Sequence, residues 1–362
     1  MRKAHRDLVL DWAQNGTSIS GTSKGMSRTR ATLCQKAIGL LHATPGNPIP
    51  PGAICEILTT EDDVGIRCAR WPHMPQAPCR GTVAVLTGRA EFIEKYYEVI
   101  RELTARGFCV AVLDWRGQGG SERVLADPHK GHVRDFADYQ RDFSAFVTQV
   151  LMPHCPQPHY ALSHSMGGAV LMEALHNDHH GFERIVMVAP MLGLALGRYD
   201  GAARATARLG CTLGLGRLLI PGGEDTPVNL RPFTLNQVTS DPRRFARAHE
   251  MIQAHPELGL GSPTFGWVHA AFACMERITA PDALRTLRQP LLMVAAGGDQ
   301  VVSNRMIEYV ASRLIAGGQL IIPTAQHEVM MEQDRLRSQF WAIFDAFVPP
   351  SALTSASASS GT

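Results

Sequence analysis

The most constraining stretch of the sequence is a short apolar run that ends at a serine and leads directly into a helix-forming segment. Residues 159–170 read HYALSHSMGGAV, so Ser165 follows the apolar run and a Gly-Gly pair comes shortly after it. A serine on a tight strand-to-helix turn needs small residues two positions before it and two positions after it. Those positions hold Ser163 and Gly167. The stretch therefore predicts a nucleophile elbow with Ser165 at its apex.

The elbow departs from the usual G-x-S-x-G pattern because Ser163 stands where a glycine is usual. Serine is the next smallest residue that fits the turn, so the departure weakens the pattern without breaking it. Ser163 is not favoured as the nucleophile, because the position two residues after it is Ser165 rather than glycine. A Ser/Gly-rich loop without chemistry is the alternative, and the rest of the chain has to decide between the two.

Composition and charge argue against several classes of protein. The chain has 362 residues, of which 45% are hydrophobic and 19% are charged, as in ordinary soluble globular proteins. Its formal net charge of +2 gives no support to a nucleic-acid surface. The eight cysteines are scattered without a C-x-x-C pair, which argues against a zinc module and a disulfide framework.

Neither a signal peptide nor a membrane span is indicated, since polar residues interrupt the early apolar patch and no apolar run approaches about 18 residues. We therefore expect a reduced, cytoplasmic compartment, with any membrane contact peripheral and on the inner face. Basic residues cluster near the N-terminus, namely Arg2, Lys3, Arg6, Lys24, Arg28, Arg30 and Lys36. Such an arm could touch anionic lipid headgroups, although a solvated, disordered tail is the commoner explanation.

Strand and helix patterns divide the chain into segments. Residues 51–190 and 281–348 alternate apolar strands with helices, which predicts an α/β core with a mostly parallel sheet covered on both faces. Residues 191–280 carry helical patterns only, and we interpret them as a cap over the carboxyl ends of the strands; a helical excursion away from the site is the alternative. Residues 1–50 are interpreted as a partly disordered N-terminal extension and residues 349–362 as a disordered tail.

The same patterns predict the individual elements. Strands are expected at 53–59, 65–71 (an antiparallel hairpin with the first), 82–86, 108–113, 184–189, 291–295 and 319–322, besides the elbow strand. Helices are expected at 31–41, 95–106, 134–151, 166–176, 202–219, 241–254, 266–278, 303–314 and 336–347.

A serine nucleophile needs a base and a carboxylate that orients the base. Asp299 comes just after the strand at 291–295, and His327 comes just after the strand at 319–322. Both therefore fall at the same edge of the predicted sheet as Ser165, in the chain order serine, acid, histidine. A turn carboxylate and a surface histidine are the separate alternatives, but their joint placement favours a triad.

The oxyanion of an acyl-transfer reaction needs backbone donors. We expect one from the Met166 N–H, directly after the nucleophile, and the second from the Arg89 N–H in the loop at 87–91. A solvated charge is the alternative reading of the Arg89 side chain. Two other polar segments are interpreted as a solvated helix end (His176, Asp178, His179, His180) and as a turn (residues 117–120), so no metal and no cofactor is predicted.

The motifs at residues 87–88, 114–121, 297–299 and 327–328 and the elbow resemble the α/β-hydrolase superfamily. Within it the chain is most similar to the bacterial lysophospholipase and monoacylglycerol lipase group, a serine aminopeptidase S33-type family. The segments that carry this are Gly88-Arg89-Ala90-Glu91 with Lys95-Tyr96, Arg116-Gly117-Gln118-Gly119 with Ser121, 131–139 and 261–267. The resemblance covers about residues 50–348, and Ser163 and Thr87 depart from it, since many relatives have glycine and histidine there.

The resemblance implies that Ser165 is the nucleophile, Asp299 the acid, His327 the base, and Met166 and Arg89 the oxyanion amides. It implies a serine hydrolase that cleaves a carboxylic ester of a small-molecule lipid, a lysophospholipid or a monoacylglycerol, through an acyl-enzyme. Apolar residues of the predicted cap suit a long acyl chain, although they could form the cap's own core: Met191, Leu192, Leu194, Leu196, Leu213, Leu215, Leu218 and Leu219.

Three alternatives to this function remain open at the level of the sequence. A small-ester carboxylesterase would keep the triad and differ in its pocket. An acyltransferase would use the same acyl-enzyme with an alcohol as acceptor. A non-catalytic binding protein on a hydrolase scaffold is disfavoured because the chain keeps a full set of triad candidates. The oligomeric state is also open.

Overall fold

The computed structural model describes residues 41–176 and 181–348. Eight strands form one sheet in the order β1-β2-β4-β3-β5-β6-β7-β8. They are β1 Ile54–Thr59, β2 Gly65–Trp71, β3 Thr82–Leu86, β4 Cys109–Leu113, β5 His159–His164, β6 Phe182–Val188, β7 Leu291–Ala296 and β8 Gly317–Ile322. The hairpin β1–β2 is antiparallel and β2 pairs antiparallel with β4, whereas the remaining neighbours are parallel.

The central strands are buried on both faces because helices cover each side of the sheet. Alternate residues of β3 point to opposite faces, and they divide accordingly between two apolar clusters. One cluster contains Ala84 with Trp115 and Phe143, and the other contains Val83 with Phe340. This two-sided burial explains why the strands read as continuous apolar runs.

In the described residues eight helices of eight or more residues cover the sheet or lie between β6 and β7, and most of them begin and end near the predicted positions. They are α1 Tyr97–Ala105, α2 Ala137–Phe146, α3 Met166–His176, α4 Asp200–Thr212, α5 Pro242–Ala254, α6 Phe265–Ile278, α7 Asn304–Ala311 and α8 Asp334–Phe347. Three of them have side-chain N-caps, in which Asp241, Thr264 and Ser303 accept backbone N–H groups of the first turns of α5, α6 and α7.

The segment between β6 and β7 contains helices α4, α5 and α6 and, in the part of it that the structure describes, no strand. The predicted fold class, an α/β sheet covered on both faces with a helical cap insertion, is confirmed. The limits of the cap at 191 and 280 stay a prediction. No helix in residues 41–176 and 181–348 is long and apolar enough to cross a membrane.

Two predicted helices differ from the structure. The helix predicted over 202–219 ends at Thr212, because Gly214 takes a left-handed conformation with φ 77° and the N–H of Leu215 bonds back to the carbonyl of Gly210. The helix predicted over 134–151 begins at Ala137 and turns into a π-helical segment at Val147–Leu151. Three predictions concern segments outside the described residues: the helix at 31–41, of which only residue 41 is described, the basic cluster at Arg2 to Lys36, and the tail at 349–362.

Candidate active site

The turn between β5 and α3 has the backbone of a strained elbow. Ser165 has φ 49°, in the left-handed region that non-glycine residues rarely adopt. Its N–H donates to the carbonyl of Val188 at 3.1 Å, which ties the turn to the neighbouring strand. A Cβ on Gly167 would lie 2.3 Å from the carbonyl oxygen of Leu86, so only glycine lets α3 begin this close to β3.

The structure brings the three predicted triad residues together. The Nδ1 of His327 donates to Oδ2 of Asp299 at 2.8 Å, and the hydroxyl of Ser165 lies 2.9 Å from Nε2 of His327. Because an ionised carboxylate only accepts hydrogen bonds, Nδ1 carries the proton and Nε2 is free to accept one from Ser165. The three side chains therefore form a continuous relay from carboxylate to hydroxyl.

Asp299 is held as a carboxylate by donors on two sides. Its Oδ1 accepts the backbone N–H groups of Val301 at 2.7 Å and Val302 at 3.0 Å. Burial acts to raise the pKa of Asp299, but the hydrogen bond and charge of His327 and the two backbone donors outweigh burial and keep that pKa below its usual value. The carboxylate is thus fixed in the orientation and charge state that hold the imidazole in place.

The two predicted oxyanion donors face no acceptor in the described residues. Neither the N–H of Met166 nor the N–H of Arg89 makes a backbone hydrogen bond there. The Arg89 loop is held from outside, since Trp115 Nε1 donates to the carbonyl of Thr87 at 2.8 Å and Gln118 Nε2 donates to the carbonyl of Gly88 at 2.7 Å. Both amides are therefore without a hydrogen-bond partner among the described residues, as donors to an oxyanion need to be before the substrate binds.

A buried ionic network under this loop was not foreseen from the sequence. Glu91 accepts from the Gly88 N–H, from Tyr96 Oη at 2.6 Å, from Lys95 Nζ at 2.9 Å and from His164 Nδ1 at 3.1 Å. Burial acts to raise the pKa of Glu91, but the charges of Lys95 and His164 outweigh burial and hold that pKa well below its usual value. One carboxylate therefore fixes the oxyanion loop and the strand end together.

The same network reaches His327, the candidate base. His164 Nε2 donates to the backbone carbonyl of His327 at 3.2 Å, and the two rings lie 4.8 Å apart. Both ring nitrogens of His164 face acceptors, which suits an imidazolium; burial acts to lower its pKa, but Glu91 raises it overall. Of these residues, Glu91, Lys95 and Tyr96 belong to the segments that carry the family resemblance, but the sequence assigned them no role.

The side chain of Arg89 is not a solvated charge, which was the alternative left open by the sequence. Its Nη2 donates to the carbonyl of Gly261 in the cap at 2.6 Å, and its guanidinium carbon lies 5.2 Å from the ring centre of Trp267. The reason is that the cap closes over the loop at 87–91 and takes the side chain out of bulk water. Arg89 therefore joins the oxyanion loop to the cap.

The remaining site predictions have mixed outcomes. In His176 the Nδ1 atom lies against the carbonyl of Met172, while Asp178, His179 and His180 lie outside the described residues. Residues 117–120 form a turn, with Gly117 and Gly119 at positive φ. In the described part of the chain, a group of side chains that could hold a metal ion is found away from the triad residues, namely His42, His255 and Glu257.

The apolar residues expected to line an acyl channel separate by exposure into three sets, of which the partly buried one contains Leu194, Leu196 and Leu219. Met191 and Leu192 are buried in the main core, whereas Leu213, Leu215 and Leu218 are exposed, so these three leucines enclose no channel and are not the cap's core. A cavity of about 680 Å³ lies beside Leu192 and Leu194, and none of the triad residues lines it. The sequence pattern could not reveal this, since it reports hydrophobicity but not which face is covered.

Several known proteins are similar to this chain over most of its length. The family model described as "Serine aminopeptidase, S33" matches residues 77–334. "Lysophospholipase L2" of Escherichia coli K12 is 33% identical over 311 residues, covering 80% of this chain and 86% of the relative. "Monoacylglycerol lipase" of Mycolicibacterium smegmatis is 26% identical, covering 75% of this chain and 89% of the relative.

Among solved structures, a soluble variant of monoglyceride lipase from Saccharomyces cerevisiae, in complex with a substrate analog, superposes with a TM-score of 0.66. The match covers 84% of this chain and 97% of that chain at 15% identity. A monoacylglycerol lipase from Paleococcus ferrophilus superposes with a TM-score of 0.61 at 18% identity, over 78% and 98% of the two chains. At these identities the likeness concerns the fold.

Proposed function

Because this chain belongs to the serine aminopeptidase S33 family of α/β-hydrolases, we propose that it cleaves the carboxylic ester of a lysophospholipid or a monoacylglycerol through an acyl-enzyme on Ser165. The family resemblance and the enzyme class predicted from the sequence, a carboxylic ester hydrolase similar to these lipases, are confirmed by the matches. The proposal of a lipid substrate is based on the names of these relatives. The single observation that carries the mechanism is the relay from Asp299 through His327 to Ser165.

In the proposed reaction, Ser165 Oγ attacks the ester carbonyl carbon while His327 Nε2 takes its proton. The carbonyl π electrons move onto oxygen, and the N–H groups of Met166 and Arg89 stabilise this oxyanion. Collapse of the tetrahedral intermediate breaks the ester C–O bond, and His327 gives its proton to the departing glycerol oxygen. Water then attacks the acyl-enzyme by the same route, releasing the fatty acid and restoring Ser165.

The position of Asp299 explains how the imidazolium is tolerated during each attack. The carboxylate lies against Nδ1, so the positive charge that forms on His327 has a counter-charge at 2.8 Å. His164 supports the backbone of His327 from the opposite side. The base is therefore held by its side chain and by its main chain before the substrate arrives.

The proposal is tested by turnover of lysophosphatidylcholine, 1-monoacylglycerol and short p-nitrophenyl esters with wild type and Ser165→Ala. Lipid-ester turnover that the variant loses supports the proposal. Turnover of short esters alone would reduce the protein to a small-ester carboxylesterase. Transfer of the acyl group to added glycerol faster than hydrolysis would make it an acyltransferase, and failure to react with a fluorophosphonate would favour a binding protein.

We propose further that the protein contacts the membrane surface peripherally through the cap. Leu209, Leu213 and Leu218 are exposed by 58%, 63% and 50% at the end of α4 and just beyond it, and Arg208 and Arg217 are exposed beside them in the sequence. Exposed leucines with interspersed cations are typical of surfaces that enter the headgroup region of anionic bilayers. Co-sedimentation with vesicles containing phosphatidylglycerol should fall when Leu209 and Leu213 are changed to Ser, and unchanged binding would refute the contact.

A further inference from the structure

Arg89 carries a charge that has no counter-ion in the described residues. No carboxylate there lies within ion-pair distance of it, and of its three guanidinium nitrogens only Nη2 has a hydrogen-bond partner, the carbonyl of Gly261. The Nε atom is sealed from solvent and has no partner. Buried polar groups in native proteins are almost always paired, so an unpaired guanidinium at this position calls for an explanation.

A second arginine at the junction of core and cap shows how the fold satisfies such a group when its role is structural. Arg123 also lacks a carboxylate partner in the described part of the chain, but its nitrogens donate to the carbonyls of Gly117, Gly119, Glu257 and Gly259. Four acceptors surround that guanidinium, against one for Arg89. Arg89 is therefore held in place without being satisfied.

The environment keeps Arg89 charged although it is partly taken out of water. Burial lowers the pKa of its guanidinium to about 10, so the group is still protonated at neutral pH. Space for the charge is provided by Gly131, where a Cβ would lie 2.3 Å from Nη2. The indole ring of Trp267 lies against the guanidinium, 5.2 Å from its central carbon, in a cation–π contact. The site is thus a desolvated cation with free donors.

The backbone of the same residue places this cation near the reacting ester. If the Arg89 N–H binds the oxyanion, the carbonyl oxygen lies about 3 Å from that nitrogen. In a lysophospholipid six bonds separate the ester carbonyl carbon from the phosphorus, a span of at most about 7 Å at the ~1.2 Å per bond of an extended chain. The stem of an arginine has five bonds from Cα to Cζ and covers a similar distance.

We propose that the Arg89 guanidinium binds the phosphodiester of a lysophospholipid headgroup, between the loop at 87–91 and the cap. This inference rests on the proposed function and selects the lysophospholipid over the monoacylglycerol as the preferred substrate. Phosphate oxygens fit the planar fork of arginine with two parallel hydrogen bonds, and the desolvated surroundings strengthen them. A monoacylglycerol offers only hydroxyl groups there and leaves the cation unpaired.

The alternative role of Arg89 is that of a tether between the oxyanion loop and the cap, through Gly261 and Trp267. A tether supports the position of the loop for every ester that the enzyme hydrolyses. A phosphate site supports only substrates that carry phosphate. The two roles therefore differ in substrate selectivity rather than in overall rate.

The test compares lysophosphatidylcholine and 1-monoacylglycerol with the same short acyl chain, below their critical micelle concentrations. In Arg89→Met, kcat/KM for the lysolipid should fall at least about tenfold more than kcat/KM for the monoacylglycerol, the lower end for charge-assisted hydrogen bonds. Arg89→Lys should recover part of the loss. Arg335→Met removes a charge from the exposed side of α8 and should leave both values unchanged.

A binding arm separates this inference from the proposed reaction. Ser165→Ala protein, with and without Arg89→Met, is titrated with both lipids, and unfolding temperatures verify that the variants fold. Lysolipid binding that depends on Arg89 supports the site even if wild type hydrolyses neither lipid, in which case the proposed reaction fails alone. Equal losses on both lipids, or no dependence on Arg89, overturn it. Inorganic phosphate and glycerophosphocholine are also compared as competitors of the lysolipid. If inorganic phosphate displaces the lysolipid with the same efficiency as glycerophosphocholine, the site binds free phosphate and the inference is overturned.

Discussion

Replacing Gly167 by alanine tests whether the approach of α3 to β3 holds the nucleophile in place. The added Cβ would lie 2.3 Å from the carbonyl oxygen of Leu86 and 2.7 Å from that of Thr87. Both atoms are backbone, so neither can rotate away, and the helix start has to move by on the order of 1 Å to restore a normal contact. Overpacking of this kind costs about 1–3 kcal/mol of stability.

The same displacement moves the Ser165 hydroxyl and the Met166 N–H, because both precede Gly167 directly. A misplacement of about 1 Å reduces turnover by about 10²-fold when orientation is part of catalysis. We therefore expect Gly167→Ala to lower the free energy of unfolding in urea and to lower kcat on p-nitrophenyl butyrate, with a smaller effect on KM.

Gly201 supplies the matched control, since it also lies in the first turn of a helix, α4, but no atom lies within 4 Å of its Cβ position. Alanine there should stabilise the protein by about 0.5–1 kcal/mol through helix propensity and leave kcat unchanged. If Gly167→Ala behaves like Gly201→Ala in both measurements, the elbow is not limited by this contact and the steric argument is refuted.

Three further substitutions probe the relay, the ionic contacts and the elbow. Asp299→Asn should lower kcat by about 10⁴-fold with little change in KM, because the amide no longer holds the tautomer of His327 that accepts from the serine; a loss below about tenfold in steady-state assays would contradict the relay. Burial acts to raise the pKa of Glu98, but the hydrogen bond from Arg244 and nearby charges lower it to about 2. This carboxylate stabilises the fold above its unfolded pKa and loses that contribution as pH falls towards 2. Because the carboxylate is partly exposed and solvent screens its ion pairs, Glu98→Gln should cost on the order of 1–2 kcal/mol at pH 7. Urea unfolding at several pH values should show the stability difference between wild type and variant narrowing below about pH 5. The Ser163 hydroxyl is buried without a partner, so Ser163→Ala should raise the unfolding free energy by about 1 kcal/mol at unchanged activity, and a loss of stability would show that the hydroxyl is satisfied.

Much of the architecture and all of the candidate triad could be predicted from the sequence. The apolar runs that become β3, β4 and β5 are local features, and the two-residue spacing of small residues around Ser165 expresses a steric demand within one turn. Asp299 and His327 were found because each follows a strand, and parallel strands end at the same edge of a sheet. Such inferences need only short-range patterns and one rule of topology.

Predictions failed where hydrophobicity was the only signal. Leu213, Leu215 and Leu218 extend the apolar pattern of α4, yet the helix ends at Thr212 and these side chains face outward. A helix end depends on the conformation of Gly214, and exposure depends on which surface another segment covers. Neither is encoded by composition along the chain.

The sequence by itself therefore determined the fold class and the candidates for the reacting groups, since these depend on neighbours in the chain. Only the tertiary structure decided what surrounds those groups. Lys95 meets Glu328 across 233 residues, and the guanidinium of Arg89 meets Gly261 across 172 residues. Contacts of this kind form only when the cap and the loops after separate strands pack together. That packing places on the proposed oxyanion loop a cation for which the described residues offer no counter-ion.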